Sequence, residues 1–445
     1  MHQAGGDRSA GGRRPDGDGR RGRLTVALAD PQLARVALAA SGLDASALRP
    51  TGAIVAVCFA IAALEGYDLQ TLGVAAPALG QEFHLATPLI GLASSAMMAA
   101  MGVGAALGGW LADRIGRRIV LVASIVLFGL ASGLTVGVVR DAGMLVLFRT
   151  LTGLGVGGAM PNLIAIVSDA HPARRRATAI SVVSAGLPAG AAACALLDRL
   201  TAGSLDWLIL FIVGGLAVLP AAPLVWMLTP GTRTASPVTL ERRDVVSQLF
   251  GEGRLATTLL LWAGIGLAMF VLSTLTVWLP TLMIHKGLSR ADASVVTFIY
   301  MSIGVISGLG IGGVIDRVGF APPLFMAFAL IATAMVALSL ASGLLPLALA
   351  AGLAGLACCS SQFGLYSIFP RYYSEAAQTT GAGAGVAAGR VGSVLGPGVC
   401  GLLLGAGTSA NQVVEMLIPV AICGGLTIAL LTAVKPRADR TPPPP

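Results

Sequence analysis

The chain has 445 residues, of which 55% are hydrophobic and only 11% charged, with 29 Lys and Arg against 21 Asp and Glu. Soluble domains carry about 25% charged residues, so this composition excludes a water-soluble enzyme and points to a membrane protein. The excess of positive charge gathers in the N-terminal segment, in alternate connections between apolar stretches and in the tail, which accounts for the basic pI of 9.6 without a nucleic-acid partner.

Residues 1–50 are rich in Gly, Arg and Asp and read as a disordered segment, within which 31–48 has the makings of a short surface helix. No apolar signal-peptide core follows the early arginines before the first long span. From residue 51 onward, apolar stretches recur at lengths suited to a hydrocarbon core about 30 Å thick. They predict twelve helices, over 52–77, 89–111, 118–138, 142–167, 178–198, 206–228, 257–282, 293–314, 321–342, 345–368, 380–404 and 412–434. The alternating pattern of a membrane barrel is absent. The expected fold class is therefore an all-α polytopic membrane protein. Its expected parts are a cytoplasmic segment 1–50, six helices over 51–228, a cytoplasmic linker over 229–256, six helices over 257–434 and a tail over 435–445.

Helix 1 carries two acids in an apolar span, in Leu64-Glu65-Gly66-Tyr67-Asp68-Leu69-Gln70. A charged side chain near a bilayer centre costs at least about 2.5–3.5 kcal/mol. Such groups persist where they face a protein interior or a wet cavity. Three apart on a helix, Glu65 and Asp68 share roughly one face. Helix 4 places a cation, Arg149, ahead of Gly153, Gly155, Gly157 and Gly158, glycines that let helices approach closely. Arg149 needs a partner, and reads either as a structural anchor or as part of a proton path. Cys58, Cys194, Cys358, Cys359, Cys400 and Cys423 all fall inside predicted helices and read as small buried residues, not as a disulfide or metal framework.

Arginine placement sets the orientation. Arg114, Arg117 and Arg118 follow helix 2, Arg174, Arg175 and Arg176 follow helix 4, and Arg233, Arg242, Arg243 and Arg254 follow helix 6. Lys435, Arg437 and Arg440 lie beyond helix 12, while the opposite connections hold only Arg140, Arg199, Lys286 and Arg290. The positive-inside rule then places both termini in the cytoplasm.

The chain also repeats itself. Gly109-Trp-Leu-Ala-Asp113-Arg114-Ile-Gly116-Arg117-Arg118 follows helix 2, and Gly312-Gly-Val-Ile-Asp316-Arg317-Val-Gly319-Phe320 follows helix 8. Two related sets of six helices around a central site are the pattern of an alternating-access carrier.

The first of these loops resembles the hallmark loop of the major facilitator superfamily. The resemblance implies that Gly109, Asp113, Arg114, Gly116, Arg117 and Arg118 form a conformational gate on the cytoplasmic side. Asp316 and Arg317 would form a weaker copy, since the terminal arginine pair is missing there. In that superfamily the arginine of an R-x-x-x-G-x-G helix, here Arg149, is associated with proton coupling. Within the superfamily, Glu65-Gly-Tyr-Asp68 and Gly389-Arg390-Val-Gly392 resemble the aromatic acid:proton symporters, most closely the branch for 3-(3-hydroxyphenyl)propionate and hydroxybenzoate-type acids. Gln378 before Thr379-Thr380-Gly381, and Thr229-Pro230-Gly231-Thr232 after helix 6, depart from the family pattern at positions tied to gating.

What the resemblance implies is import of an aromatic carboxylate with a proton, powered by the proton gradient and needing no cofactor. The partners are the acid, the proton and the lipid bilayer, with no nucleic acid and no obligate protein partner. A guanidinium grips a carboxylate through two parallel hydrogen bonds, which makes Arg390, halfway along helix 11, the expected clamp or the ion-pair partner of a helix 1 acid. Glu65 and Asp68 are the expected proton carriers and are also candidates for substrate contact. Tyr67, Trp278, Tyr300, Phe363 and Tyr366 are candidates to stack on the ring, and Gln70 and Gln362 to read a hydroxyl group. The alternatives are an exporter of drugs or metabolites and a carrier of a non-aromatic acid. Gly186-Leu-Pro188-Ala-Gly190 in helix 5 matches the exporter motif poorly, and no H-E-x-x-H or G-x-S-x-G pattern supports an intramembrane enzyme.

Overall fold

The structure is a computed structural model that describes residues 51–433 apart from 84, 139–140, 202–206, 230–248, 252–253 and 374–377. The expected segment 1–50, most of the linker 229–256 and the tail 435–445 lie outside the described residues. Twelve helices are long and apolar enough to cross a membrane. They are α1 (Thr51–Glu82), α2 (Thr87–Ile115), α3 (Arg117–Gly137), α4 (Ala142–Ala170), α5 (Thr178–Thr201) and α6 (Trp207–Leu228). The second six are α7 (Leu255–His285), α8 (Arg290–Val318), α9 (Ala321–Leu340), α10 (Leu344–Phe369), α11 (Gly381–Gly405) and α12 (Ala410–Ala433). No strand occurs among the described residues. The chain is a multi-pass membrane protein.

Helix ends differ from the hydropathy expectation for local reasons. α1 runs past Pro77 to Glu82, because a membrane helix tolerates an internal proline where neighbouring helices and side chains satisfy the freed backbone. Polar caps start three helices at positions a hydropathy window cannot register. The Asp141 carboxylate accepts from the Met144 N–H at 2.9 Å ahead of α4, and the Ser289 hydroxyl accepts from the Asp292 N–H at 3.1 Å ahead of α8. A reciprocal capping box between Ser409 and Gln412 opens α12. Both copies of the repeated loop end their helix on a glycine with positive φ, Gly116 at 98° and Gly319 at 82°, a conformation that side chains with a Cβ resist.

The repeat seen in sequence is also a repeat of packing. In the first six helices α2 and α3 pack on α4, and α3 packs on α6; in the second six α8 and α9 pack on α10, and α9 packs on α12. A Cβ added to Gly153 of α4 would lie 2.3 Å from the Met97 carbonyl oxygen of α2, and one added to Gly355 of α10 would lie 2.0 Å from the Tyr300 carbonyl oxygen of α8. Met97 and Tyr300 are 203 positions apart, as are Asp113 and Asp316. α5 meets α1 through Gly190, where a Cβ would sit 1.6 Å from the Ala63 carbonyl oxygen, and α11 meets α7 through Gly392 against the Gly266 carbonyl oxygen at 1.9 Å.

Two seams join the halves, α2 with α11 and α5 with α8; the two are mates under the repeat. Along the first, Pro88 meets Gly405, Gly91 meets Gly401, and Gly102 meets Arg390. The Ser95 hydroxyl donates to the Val394 carbonyl at 2.6 Å. α1 touches α7 where Gly73 abuts the Val277 carbonyl. These contacts all lie toward the face that carries residues 85–86, 286–289 and 406–409, called here the first-loop face. Gly109 and Gly383, two turns beyond Gly102 and Arg390 on the same helix stripes, would meet no atom within 4 Å if given a Cβ. The halves therefore close on the first-loop face and part toward the face of the Asp113 loop.

Close glycine contacts of this kind predict a sharp stability signature. Gly190→Ala should lower stability by about 1–3 kcal/mol or more through overpacking against α1, whereas Gly310→Ala, with open space around it, should not. Retention of a monodisperse elution peak after heating in detergent measures both.

Candidate functional site

Gly66 lets α1 press against the Leu187 backbone of α5 (a Cβ would stand 1.8 Å from its carbonyl oxygen). The acids on either side of this glycine are fully buried, but their surroundings differ. Asp68 is ion-paired with Arg149 of α4, with Nη1 3.2 Å from Oδ2 and Nη2 3.4 Å from Oδ1, and neither side chain is exposed. Ser132 of α3 closes the triangle: its hydroxyl donates to Asp68 Oδ1 and accepts from Arg149 Nη2 at 2.9 Å. The Phe211 ring of α6 lies 4.9 Å from the guanidinium carbon, and Gly214 leaves room beside the Asp68 carboxylate. Four helices thus meet around one charge pair, which is what a low-dielectric interior demands of buried ions.

Glu65 has no such cage. Both of its carboxylate oxygens are buried without a hydrogen-bond partner, and so are both amide atoms of Gln70. Asp68, one of the two helix 1 acids expected as a partner for Arg390, is instead engaged by Arg149 inside the first half.

Arg390 occupies a different setting. It projects from the middle of α11, where the α2–α11 seam ends: a Cβ on Gly102 would lie 3.9 Å from its Cγ. Its side chain is partly exposed. Among the described residues no carboxylate lies within 4.0 Å of it. Tyr366 of α10 is its electrostatic neighbour, with Gln362 next to Tyr366 on the same helix. The Tyr366 hydroxyl comes within 3.7 Å of the Cβ position of Gly389. An open guanidinium, a phenol and an amide thus converge at mid-span.

The other aromatic candidates are packed elsewhere. Trp278 is fully buried; its N–H donates to the Pro397 carbonyl at 2.9 Å, and its ring lies against Gly91 and Gly401. It belongs to the closed seam. Phe363 lies on Gly308 of α8, a contact within the second half, and Tyr300 is buried in the core of that half.

The Asp113 loop makes its contacts within the first half. The Arg117 guanidinium pairs with Asp169 at 2.5 Å, and Arg118 donates to the Thr229 carbonyl at 3.3 Å while stacking on Trp226. Arg114 stacks on Trp110. Asp113, Asp316 and Arg317 are exposed. No cluster of His, Cys, Asp or Glu that would hold a metal occurs among the described residues.

Sequence reading missed Ser132, because a serine in an apolar helix carries no signal without its neighbours. It also missed Asp198, whose neighbour Arg199 makes it read as an ordinary charged helix end.

The sequence profile of the Major Facilitator Superfamily matches residues 58–397. The chain belongs to this superfamily. Among its relatives, the 3-(3-hydroxy-phenyl)propionate transporter of Escherichia coli (strain K12) is 34% identical over 396 residues, covering 86% of this chain and 96% of that protein. The 4-hydroxybenzoate transporter PcaK of Pseudomonas aeruginosa is 31% identical, covering 83% and 90%, and the gallate transporter of Pseudomonas putida is 29% identical, covering 84% and 90%. Solved structures of similar fold include the D-xylose-proton symporter, at 17% identity and a TM-score of 0.69 over 85% of this chain and 96% of that one. A bacterial homolog of the human lysosomal transporter Spinster, inward-facing and occupied, gives 17% identity and a TM-score of 0.70 over 88% and 98%. As a major facilitator protein with these relatives, the chain is a transporter.

The buried pair inside this major facilitator fold predicts a double-mutant signature. Asp68→Asn should cost about 3–5 kcal/mol of stability, because it strands Arg149 in an apolar interior. Adding Arg149→Gln should recover a large part of that loss, a coupling readable from thermal unfolding of the purified variants.

Proposed function

We propose that this protein imports an aromatic carboxylate with a proton, by alternating access, across a bacterial inner membrane. The observation that carries the reading is Arg390. It is a partly exposed cation at mid-span without a carboxylate partner among the described residues, placed where the contact between the halves ends. An unpaired charge at that depth is costly, and a substrate carboxylate would neutralise it through two parallel hydrogen bonds. Tyr366 offers an aromatic face or a hydroxyl beside the clamp, and Gln362 offers a donor and an acceptor for a ring substituent. The relatives named for phenylpropionate, hydroxybenzoate and gallate support an aromatic acid as the cargo.

Glu65 supplies the proton function in this reading. An acid that no fixed side chain holds is free to take up and release a proton as its surroundings change between the two states. The Asp68–Arg149–Ser132 cage would carry that change to α3, α4 and α6. The Asp113 loop, rich in arginine, faces the cytoplasm, so the parted face is the release side and the structure is the inward-open state of the cycle.

The test is uptake of radiolabelled 3-(3-hydroxyphenyl)propionate into proteoliposomes under an inward proton gradient, with 4-hydroxybenzoate, an aliphatic acid and glucose as competitors. Accumulation that a protonophore collapses and only aromatic acids compete supports the proposal; gradient-driven extrusion of the acid would make the protein an exporter and overturn it. Arg390→Lys should raise the apparent KM about tenfold, the cost of about one charge-assisted hydrogen bond. Glu65→Gln should abolish gradient-driven accumulation while leaving exchange of labelled for unlabelled substrate; loss of neither would remove Glu65 from coupling.

A further inference from the structure

The two seams that join the halves are equivalent by the repeat, yet they are built from different chemistry. On the α2–α11 seam Gly91 rests on Gly401, each Cβ position about 3 Å from the other residue's Cα (3.1 and 3.0 Å). Shifted by the 203 positions that relate Asp113 to Asp316, Gly91 corresponds to Ser294 and Gly401 to Asp198. Ser294 and Asp198 do meet, on the α5–α8 seam, where the Ser294 hydroxyl donates to Asp198 Oδ2. The second carboxylate oxygen of Asp198 is 2.5 Å from Arg290 Nη2, the first residue of α8. Asp198 is fully buried, while the Arg290 side chain keeps 29% exposure to the first-loop face. One seam is therefore a neutral contact between two glycines, and its mate is a charge-assisted clasp across the halves.

We infer that Asp198, Arg290 and Ser294 form the gate of the first-loop face, the clasp that holds the two halves together there and must open for substrate to enter from that side. Both oxygens of Asp198 are served by α8, and α8 belongs to the other half. When the halves part on this face the carboxylate loses both partners at once and gains water in their place. The clasp thus stabilises only the state closed on the first-loop face. Arg290 is a gating residue and lies away from the Arg390 site, so the inference does not depend on which acid is carried.

Removing the cation makes the difference measurable. Arg290→Gln leaves Asp198 buried without a counter-charge in the closed state, whereas in the parted state water would surround it. Truncating one member of a buried charge pair costs 2 kcal/mol or more, so the ratio of parted to closed molecules should rise about thirtyfold or more. Spin labels at Ala86→Cys and Ala406→Cys, exposed positions of the two halves on the first-loop face, report that ratio as a distance distribution. The background would have the six native cysteines replaced and be shown to elute as a monodisperse peak. Arg290→Gln should shift the distribution to longer distances and Arg290→Lys should largely retain the original one. An unchanged distribution in Arg290→Gln overturns the inference. Should that variant fail to fold, the doubly neutral Asp198→Asn/Arg290→Gln protein decides: it strands no charge, and a longer distance supports the clasp while an unaltered one rejects it. The measurement needs no substrate, so its failure is distinct from failure of the aromatic-acid reading.

Discussion

A charge placed in the middle of a bilayer has to be neutralised, hydrated or put to use, and this rule sorts the ionisable groups of the protein. Asp68 and Arg149 are neutralised completely, inside one half, by each other and by Ser132. Asp198 and Arg290 are neutralised across the halves, so their pairing is tied to one conformation. Glu65 and Arg390 have no fixed partner of opposite charge among the described residues. The first pair is a fixture of the fold, and the second reports on which face is closed. The two unpaired groups are those with capacity left for cargo and proton.

Much of this was legible in the sequence because hydropathy, helix length and the Gly109/Asp113/Gly116 spacing are local properties. The twelve spans follow from the thickness of a hydrocarbon core, whereas the helices expected to end at 111 and 314 run on to the positive-φ glycines Gly116 and Gly319. The isolated acids and arginines announced themselves through their cost. Their pairing did not. Asp68 and Arg149 are 81 positions apart, and nothing along the chain favours Arg149 over Arg390 as the partner; the choice is made by Ser132, Phe211 and Gly214, three residues without individual signals. The same limit applies to Trp278, whose size suggested a stacking surface but whose N–H and ring are spent on Pro397, Gly91 and Gly401.

Duplication supplies the frame and divergence supplies the chemistry. The glycine contacts at Gly153 and Gly355 repeat because both halves need α2 close to α4 and α8 close to α10. Outside the repeated Asp113 and Asp316 loops, the buried charges have no counterpart: Asp68 corresponds to Val271, and the Gly91/Gly401 contact corresponds to Ser294/Asp198. A carrier built from two identical halves would have two equivalent seams and no reason to hold its cation on one side and its acids on the other. Here the acids Glu65 and Asp68 lie in α1 and the guanidinium of Arg390 in α11, so in the proposed mechanism substrate charge and proton fall to different halves.

The height of Arg390 along its seam gives this division mechanical sense. Above it, toward the first-loop face, α2 and α11 touch through small residues from Pro88 and Gly405 down to Gly102. Below it the same stripes carry Gly109 and Gly383, which have nothing near them. A ligand held by Arg390 would therefore sit at the boundary between closed and open parts of one seam, in reach of both halves. Closing the lower part of that seam brings two helix stripes together that carry no side chain at Gly109 or Gly383, as Gly91 and Gly401 already do above. Small residues let the backbones approach in either half of the seam, and the cation between them remains the pivot that a bound carboxylate would neutralise in both states.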